Sequence, residues 1–194
     1  MKKYVLICSY WLSFMVFSAC SSKNPSIADA STANYYFSLK QFFQSQIQSF
    51  QSQQIVLHKF ASLNGELEKK ALSEIDWETE FRPFVNSDIN KPAWKDSYQI
   101  DSSANGLGQL QVHYTAMNPD LRTQKIDITF GKDAVTPSFI EVTNLSRNPI
   151  YDTTEKLQYD VNKRYVIENE QKVMWMKPDA FKIEGELIFY RERE

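Results

Sequence analysis

From Ser97 onward the apolar residues recur at every second position, and this period constrains the fold more than any other feature of the chain. Leu110, Val112 and Tyr114 alternate with polar residues. Ile126, Ile128 and Phe130 do the same, as do Ile140 and Val142, and Leu157, Tyr159 and Val161. Tyr165 and Ile167, Val173 and Trp175, and Phe181 and Ile183 continue the pattern. Successive side chains of a strand point to opposite faces, so each run predicts a strand with one apolar and one wetted face. Between the runs stand Asn118-Pro119-Asp120, Gly131-Lys132-Asp133, Arg147-Asn148-Pro149, Asn162-Lys163 and Lys177-Pro178-Asp179, all of them turn chemistry. Short strands with short links predict an antiparallel meander whose apolar face needs a cover.

The cover is expected upstream, where the period is that of a helix. Tyr36, Leu39, Phe43, Ile47 and Phe50 are spaced 3, 4, 4 and 3 apart within residues 35–52. They form one apolar stripe with Gln and Ser opposite, and Asn34 or Thr32 is the expected cap. These five residues are the candidate core face, or the wall of an apolar-ligand site. A helix lying on a membrane would want Lys or Arg on its polar side, and only Lys40 is there. Asn64-Gly65 divides residues 54–72 into a predicted hairpin, because a type I′ turn needs positive φ at both central residues. Asp76 is the expected cap of a second, short helix carrying Trp77, Phe81, Phe84 and Val85 on one face, with Pro83 ending or kinking it. The predicted fold is α+β: an N-terminal amphipathic helix and a second short helix packed on a curved antiparallel meander of about six to eight strands.

Chemistry is sparse in this pattern. The 22 Lys and Arg are outweighed by 24 Asp and Glu, which excludes a strongly basic nucleic-acid binder. The two histidines, His58 and His113, are too few for a His-based zinc site, and no H-E-x-x-H or G-x-S-x-G occurs. His113 falls on the face opposite Leu110, Val112 and Tyr114 and is expected in solvent. Gly106-Leu107-Gly108 precedes a strand rather than a helix, so it reads as a turn and not a phosphate loop. Asp76, Glu78 and Glu80 are expected as acids at a helix start, and Glu184 and Glu186 as outward acids of the last strand. No catalytic residue, metal or cofactor is expected, and the protein reads as a non-enzyme.

The first 20 residues have a different character. Lys2 and Lys3 precede an apolar run from Tyr4 to Phe17, too short for a typical membrane-spanning helix. Phe17-Ser18-Ala19-Cys20 resembles a bacterial lipobox. The resemblance implies cleavage between Ala19 and Cys20 and acylation of Cys20, which anchors the protein to a lipid bilayer. Residues 1–19 would be the signal peptide, 20–34 the acylated cysteine with a polar tether, and 35–194 one α+β domain. Cleavage would leave no free thiol, since Cys8 and Cys20 are the only cysteines. Together with Trp77-Glu78 and the run from Phe84 to Trp94, these features resemble uncharacterised lipoproteins of Bacteroidetes bacteria. That resemblance implies a cell-envelope location, with the periplasmic face of the outer membrane favoured.

Two functions are compatible with this reading, and a hydrolase is the least favoured third. The leading expectation is a membrane-anchored envelope lipoprotein acting as an interaction or scaffold module for an envelope protein partner. The alternative is a carrier of lipid or another apolar ligand in a half-barrel sheet under a helix. The aromatic supply is large, because 27 residues are Phe, Trp or Tyr; such rings are expected first as filling for an ordinary core and second as the lining of a cavity in a curved sheet.

Overall fold

The computed structural model describes residues 34–176 and 178–190. The expectations for Ala19, Cys20 and the tether up to residue 33 lie outside them. Among the described residues are two α-helices, α1 (Leu39–Gln51) and α2 (Trp77–Val85), and nine strands: β1 (Ile55–Leu63), β2 (Glu66–Leu72), β3 (Tyr98–Ala104), β4 (Leu110–Ala116), β5 (Thr123–Phe130), β6 (Pro137–Arg147), β7 (Tyr151–Asp160), β8 (Arg164–Val173) and β9 (Asp179–Phe189). The strands form one antiparallel sheet in the order β2-β1-β9-β8-β7-β6-β5-β4-β3. The fold is therefore α+β, as expected, with more strands than the six to eight predicted. No helix among the described residues is long and apolar enough to cross a membrane.

The extra strand is β3, at the sheet edge. Its sequence YQIDSSA alternates only faintly, because an edge strand beyond the helices has little apolar surface to bury. The Val173–Trp175 run is corrected in the opposite sense. β8 leaves the ladder at Val173, a Met176 N–H to Val173 C=O bond of 3.1 Å closes a turn, and Trp175 sits there at φ 69°, 95% exposed. Asn64 and Gly65, at φ 49° and 97°, make the two-residue turn between β1 and β2 as expected.

α1 is shorter than its stripe. Its cap is Ser38, whose side chain accepts from the Gln41 N–H, and not Asn34 or Thr32. The preceding residues are held outside the helix by Asn90, which accepts from the Tyr36 N–H at 2.9 Å and donates to the Tyr36 and Phe37 carbonyls. Tyr36 is still buried, its hydroxyl donating to the Trp94 carbonyl at 2.9 Å. α2 starts at the Asp76 cap and ends at Val85, two residues past Pro83.

Asp76 accepts from both the Thr79 N–H and the Thr79 hydroxyl. These bonds, the hydroxyl's first, hold its carboxyl below the ordinary value of 3.8. A depressed folded-state value stabilises the fold fully above pH 3.8, and this contribution disappears as pH falls through the folded-state value. Asp76→Asn, which caps without titrating, should lack that component. Thermal melts of the two proteins between pH 5 and 2 should therefore change their difference below pH 4 in favour of the variant.

Candidate functional site

Strand register sorts the helix-bearing face into rows. One row runs Lys59, Gly185, Tyr165, Tyr159, Ile140, Ile128 and Val112. The next runs Ala61, Ile183, Ile167, Leu157, Val142, Ile126 and Tyr114. The helices lie over these two rows and over the positions beyond the first, where Phe189 meets Phe50 at 5.7 Å between centroids and Leu57 and Leu187 are buried. Leu39, Phe43, Ile47 and Phe50 are buried, as their spacing predicted, together with Trp77, Phe81 and Phe84 from α2. Phe43 meets Phe84 at 4.7 Å and Phe81 at 5.1 Å between ring centroids, and Tyr159 lies 5.2 Å from Phe43. The space that the apolar-carrier expectation reserved for a guest is filled at this point by the protein's own rings. Between the helices an open hollow of about 600 Å³ is lined by Gln44, Ile47, Gln48, Glu78, Arg82 and Val85.

Glu80 departs from its expected place at a solvated helix start. It is turned to the sheet, where it accepts from Lys59 Nζ at 2.8 and 2.9 Å and from the Tyr165 hydroxyl. Burial, followed by the Glu80 carboxylate, pushes the Tyr165 phenol up. Glu184, by contrast, pairs outward with Arg164 at 3.3 Å.

The third row has a different chemistry. It reads Leu63, Phe181, Asn169, Glu155, Asn144 and Thr123. The turn after α2 reaches it only at one end, where Asn144 Nδ2 donates to Ser87 Oγ at 2.8 Å and Thr123 Oγ1 donates to the Ser87 carbonyl. Asn144 Nδ2 also lies 2.8 Å from Glu155 Oε2, which accepts from Arg122 at 2.7 Å. Asn144 is 2% exposed, yet its Oδ1 has no hydrogen-bond partner. A buried acceptor left unpaired costs roughly 1–3 kcal/mol. It lines a small hollow of about 70 Å³ with Arg122, Ser146, Thr153, Glu155 and Asn169. Further along the row Phe181 is 39% exposed, and Tyr151 is exposed at the start of β7. Of these residues only Phe181 stood out in the sequence, as a member of an alternating apolar run. The faint signal is that Asn144 and Asn169 occupy positions whose parity is that of the apolar residues before them.

The histidines separate. His58 is exposed on β1. His113 does point to the outer face, opposite Tyr114, but it is not isolated: its ring contacts Asp127 and Ser103. Among the described residues no group of three or more His, Cys, Asp or Glu could hold a metal ion.

No family model and no curated protein matches the chain. Among solved structures it is similar to the S-type phycobiliprotein lyase CPES from Guillardia theta, at 8% identity and a TM-score of 0.27, covering 82% of this chain and 96% of that one. A TM-score this low lies below that of a shared fold, so nothing about this protein follows from it.

Proposed function

We propose that the protein is a binding module, held at a bilayer through acylated Cys20, that takes a hydroxyl-rich ligand on the part of its helix-bearing face the helices leave open. The observation that carries this reading is the change in chemistry at the third row, where an apolar, ring-filled face gives way to Asn144, Glu155 and Asn169 beside exposed Phe181. Amide and carboxylate groups satisfy hydroxyls in both directions, since an Asn side chain offers donors and acceptors and a carboxylate accepts. An aromatic ring nearby offers the flat apolar surface on which a pyranose ring packs. This combination fits a saccharide better than an acyl chain. The anchor rests on Ser18-Ala19-Cys20 in the sequence.

Isothermal titration with chitotriose, maltotriose and xylotriose tests the proposal. At least one should bind, and Asn169→Ala and Phe181→Ala should each weaken it about tenfold or more, since a lost polar or stacking contact is worth roughly 1–2 kcal/mol. Absence of binding for all three at millimolar concentration, or binding indifferent to both substitutions, contradicts it.

A further inference from the structure

On the opposite face, three side chains from three adjacent strands form a directional relay. His113 on β4 and Asp127 on β5 are directly opposed. The ladder makes this a close pair. The Asn105 N–H bonds the Gln109 carbonyl and the Met117 N–H bonds the Ser97 carbonyl, so odd-numbered residues of β4 hydrogen-bond towards β3. His113 and Asp127 therefore form a non-hydrogen-bonded pair, the type whose side chains approach most closely. His113 Nδ1 lies 2.5 Å from Asp127 Oδ1, and Lys125 Nζ holds the other carboxylate oxygen at 2.7 Å. The carboxylate keeps the ring proton on Nδ1 and leaves Nε2 as an acceptor. Ser103 Oγ on β3 lies 3.3 Å from that Nε2.

Elsewhere the outer face is built from two-partner contacts, such as Gln158–Glu141, Arg164–Glu184 and Lys182–Glu168. Here a hydroxyl, an imidazole and a carboxylate follow one another in the order that activates a serine. The surroundings suit that chemistry in one further respect. β3 is the sheet edge, and the alternation that turns Ser103 and Asn105 towards β4 turns the Ala104 N–H to the open side, next to the Ser103 hydroxyl. An unpaired amide after the nucleophile is one of the donors an oxyanion requires.

We propose that Ser103, His113 and Asp127 form a serine esterase site for small acyl esters, which reach the exposed Ser103 hydroxyl from solvent. Ser103 Oγ attacks the acyl carbonyl carbon while His113 Nε2 takes its proton. The carbon–oxygen bond to the alcohol breaks, and the departing alkoxide receives that proton. Water then attacks the acyl-serine with the same histidine as base, releasing the carboxylic acid and restoring the hydroxyl. Ester and water become acid and alcohol, with no other reactant. Asp127 is a positioning residue that acts through His113.

The test is turnover of p-nitrophenyl butyrate by the described domain within the full chain, together with labelling by a fluorophosphonate and mapping of the labelled residue. The expected result is measurable turnover and a label on Ser103. Ser103→Ala and His113→Ala should abolish both, and Asp127→Asn should lower kcat at least about 100-fold with little change in KM. Ser102→Ala, on the other side of the same strand, should leave turnover unchanged. All four positions are at the surface or half-buried, and an unaltered thermal melt for each variant separates lost chemistry from lost folding. No turnover and no label in the wild type, a label on another residue, or activity surviving Ser103→Ala overturns the assignment. The saccharide-binding row lies on the opposite face, so the two proposals fail separately.

Discussion

Gly185→Ala should be the most damaging single-methyl addition in this domain. Gly185 on β9 stands directly opposite Tyr165 on β8, in the row beneath α2. A Cβ built at Gly185 would lie 2.3 Å from Tyr165 Cε1 and 2.4 Å from its Cζ, well inside contact distance. The ring cannot swing aside freely, because its hydroxyl is bonded to Glu80 and it packs in a T-shaped contact with Phe81, whose centroid is 6.0 Å away. Overpacking of a fitted core costs roughly 1–3 kcal/mol and more where neighbours are fixed. The upper part of that range is expected here, a fall in melting temperature of about 6–12 °C for a domain of this size. Urea unfolding measures it. Adding Tyr165→Leu to the variant should recover part of the loss, because the clash is with that ring; an additive loss would mean that the strain lies elsewhere.

Phe81→Ala should cost still more, about 3–5 kcal/mol. Phe81 is fully buried at the centre of the aromatic cluster, with Phe43 at 5.1 Å, Tyr159 at 5.3 Å and Trp77 at 5.6 Å between centroids. Removing it detaches α2 from both α1 and the sheet at one point. The cost of such a truncation rises with the volume that fails to collapse, and rings held by several neighbours collapse poorly. The substitution should lower the denaturant midpoint without changing the slope. A loss below 1 kcal/mol would show that α2 packs more loosely than these distances indicate.

How much of this was legible beforehand follows the range of the interactions. Asn64-Gly65 encodes its turn within two residues, Asp76 caps a helix through the Thr79 amide three residues on, and the stripe from Leu39 to Phe50 is a property of a single helix. Each is local, and each was readable. β3 was faint because an edge strand with little to bury alternates weakly. The helix cap fell on Ser38 because Asn90, more than fifty residues away, keeps Tyr36 and Phe37 out of the helix. Glu80 looked like an ordinary acid of a first turn, and only tertiary packing brings Lys59 and Tyr165 to it. Parity alone placed His113 on the outer face, but contact with Ser103 and Asp127 depends on the register of three strands, and one residue of slip would reverse the facing of a whole strand. Asn144 is the same case on the other face. Its row exists only once six strands are aligned.

The most direct test of the central claim, that the open part of the helix-bearing face is the ligand surface, is the pattern of backbone amide shifts on adding the oligosaccharide that binds. The changes should concentrate at Asn144, Glu155, Asn169 and Phe181, with the amides around Ser103 and His113 on the opposite face unmoved. Changes scattered over the domain, or gathered on the outer face or over α1, would contradict it.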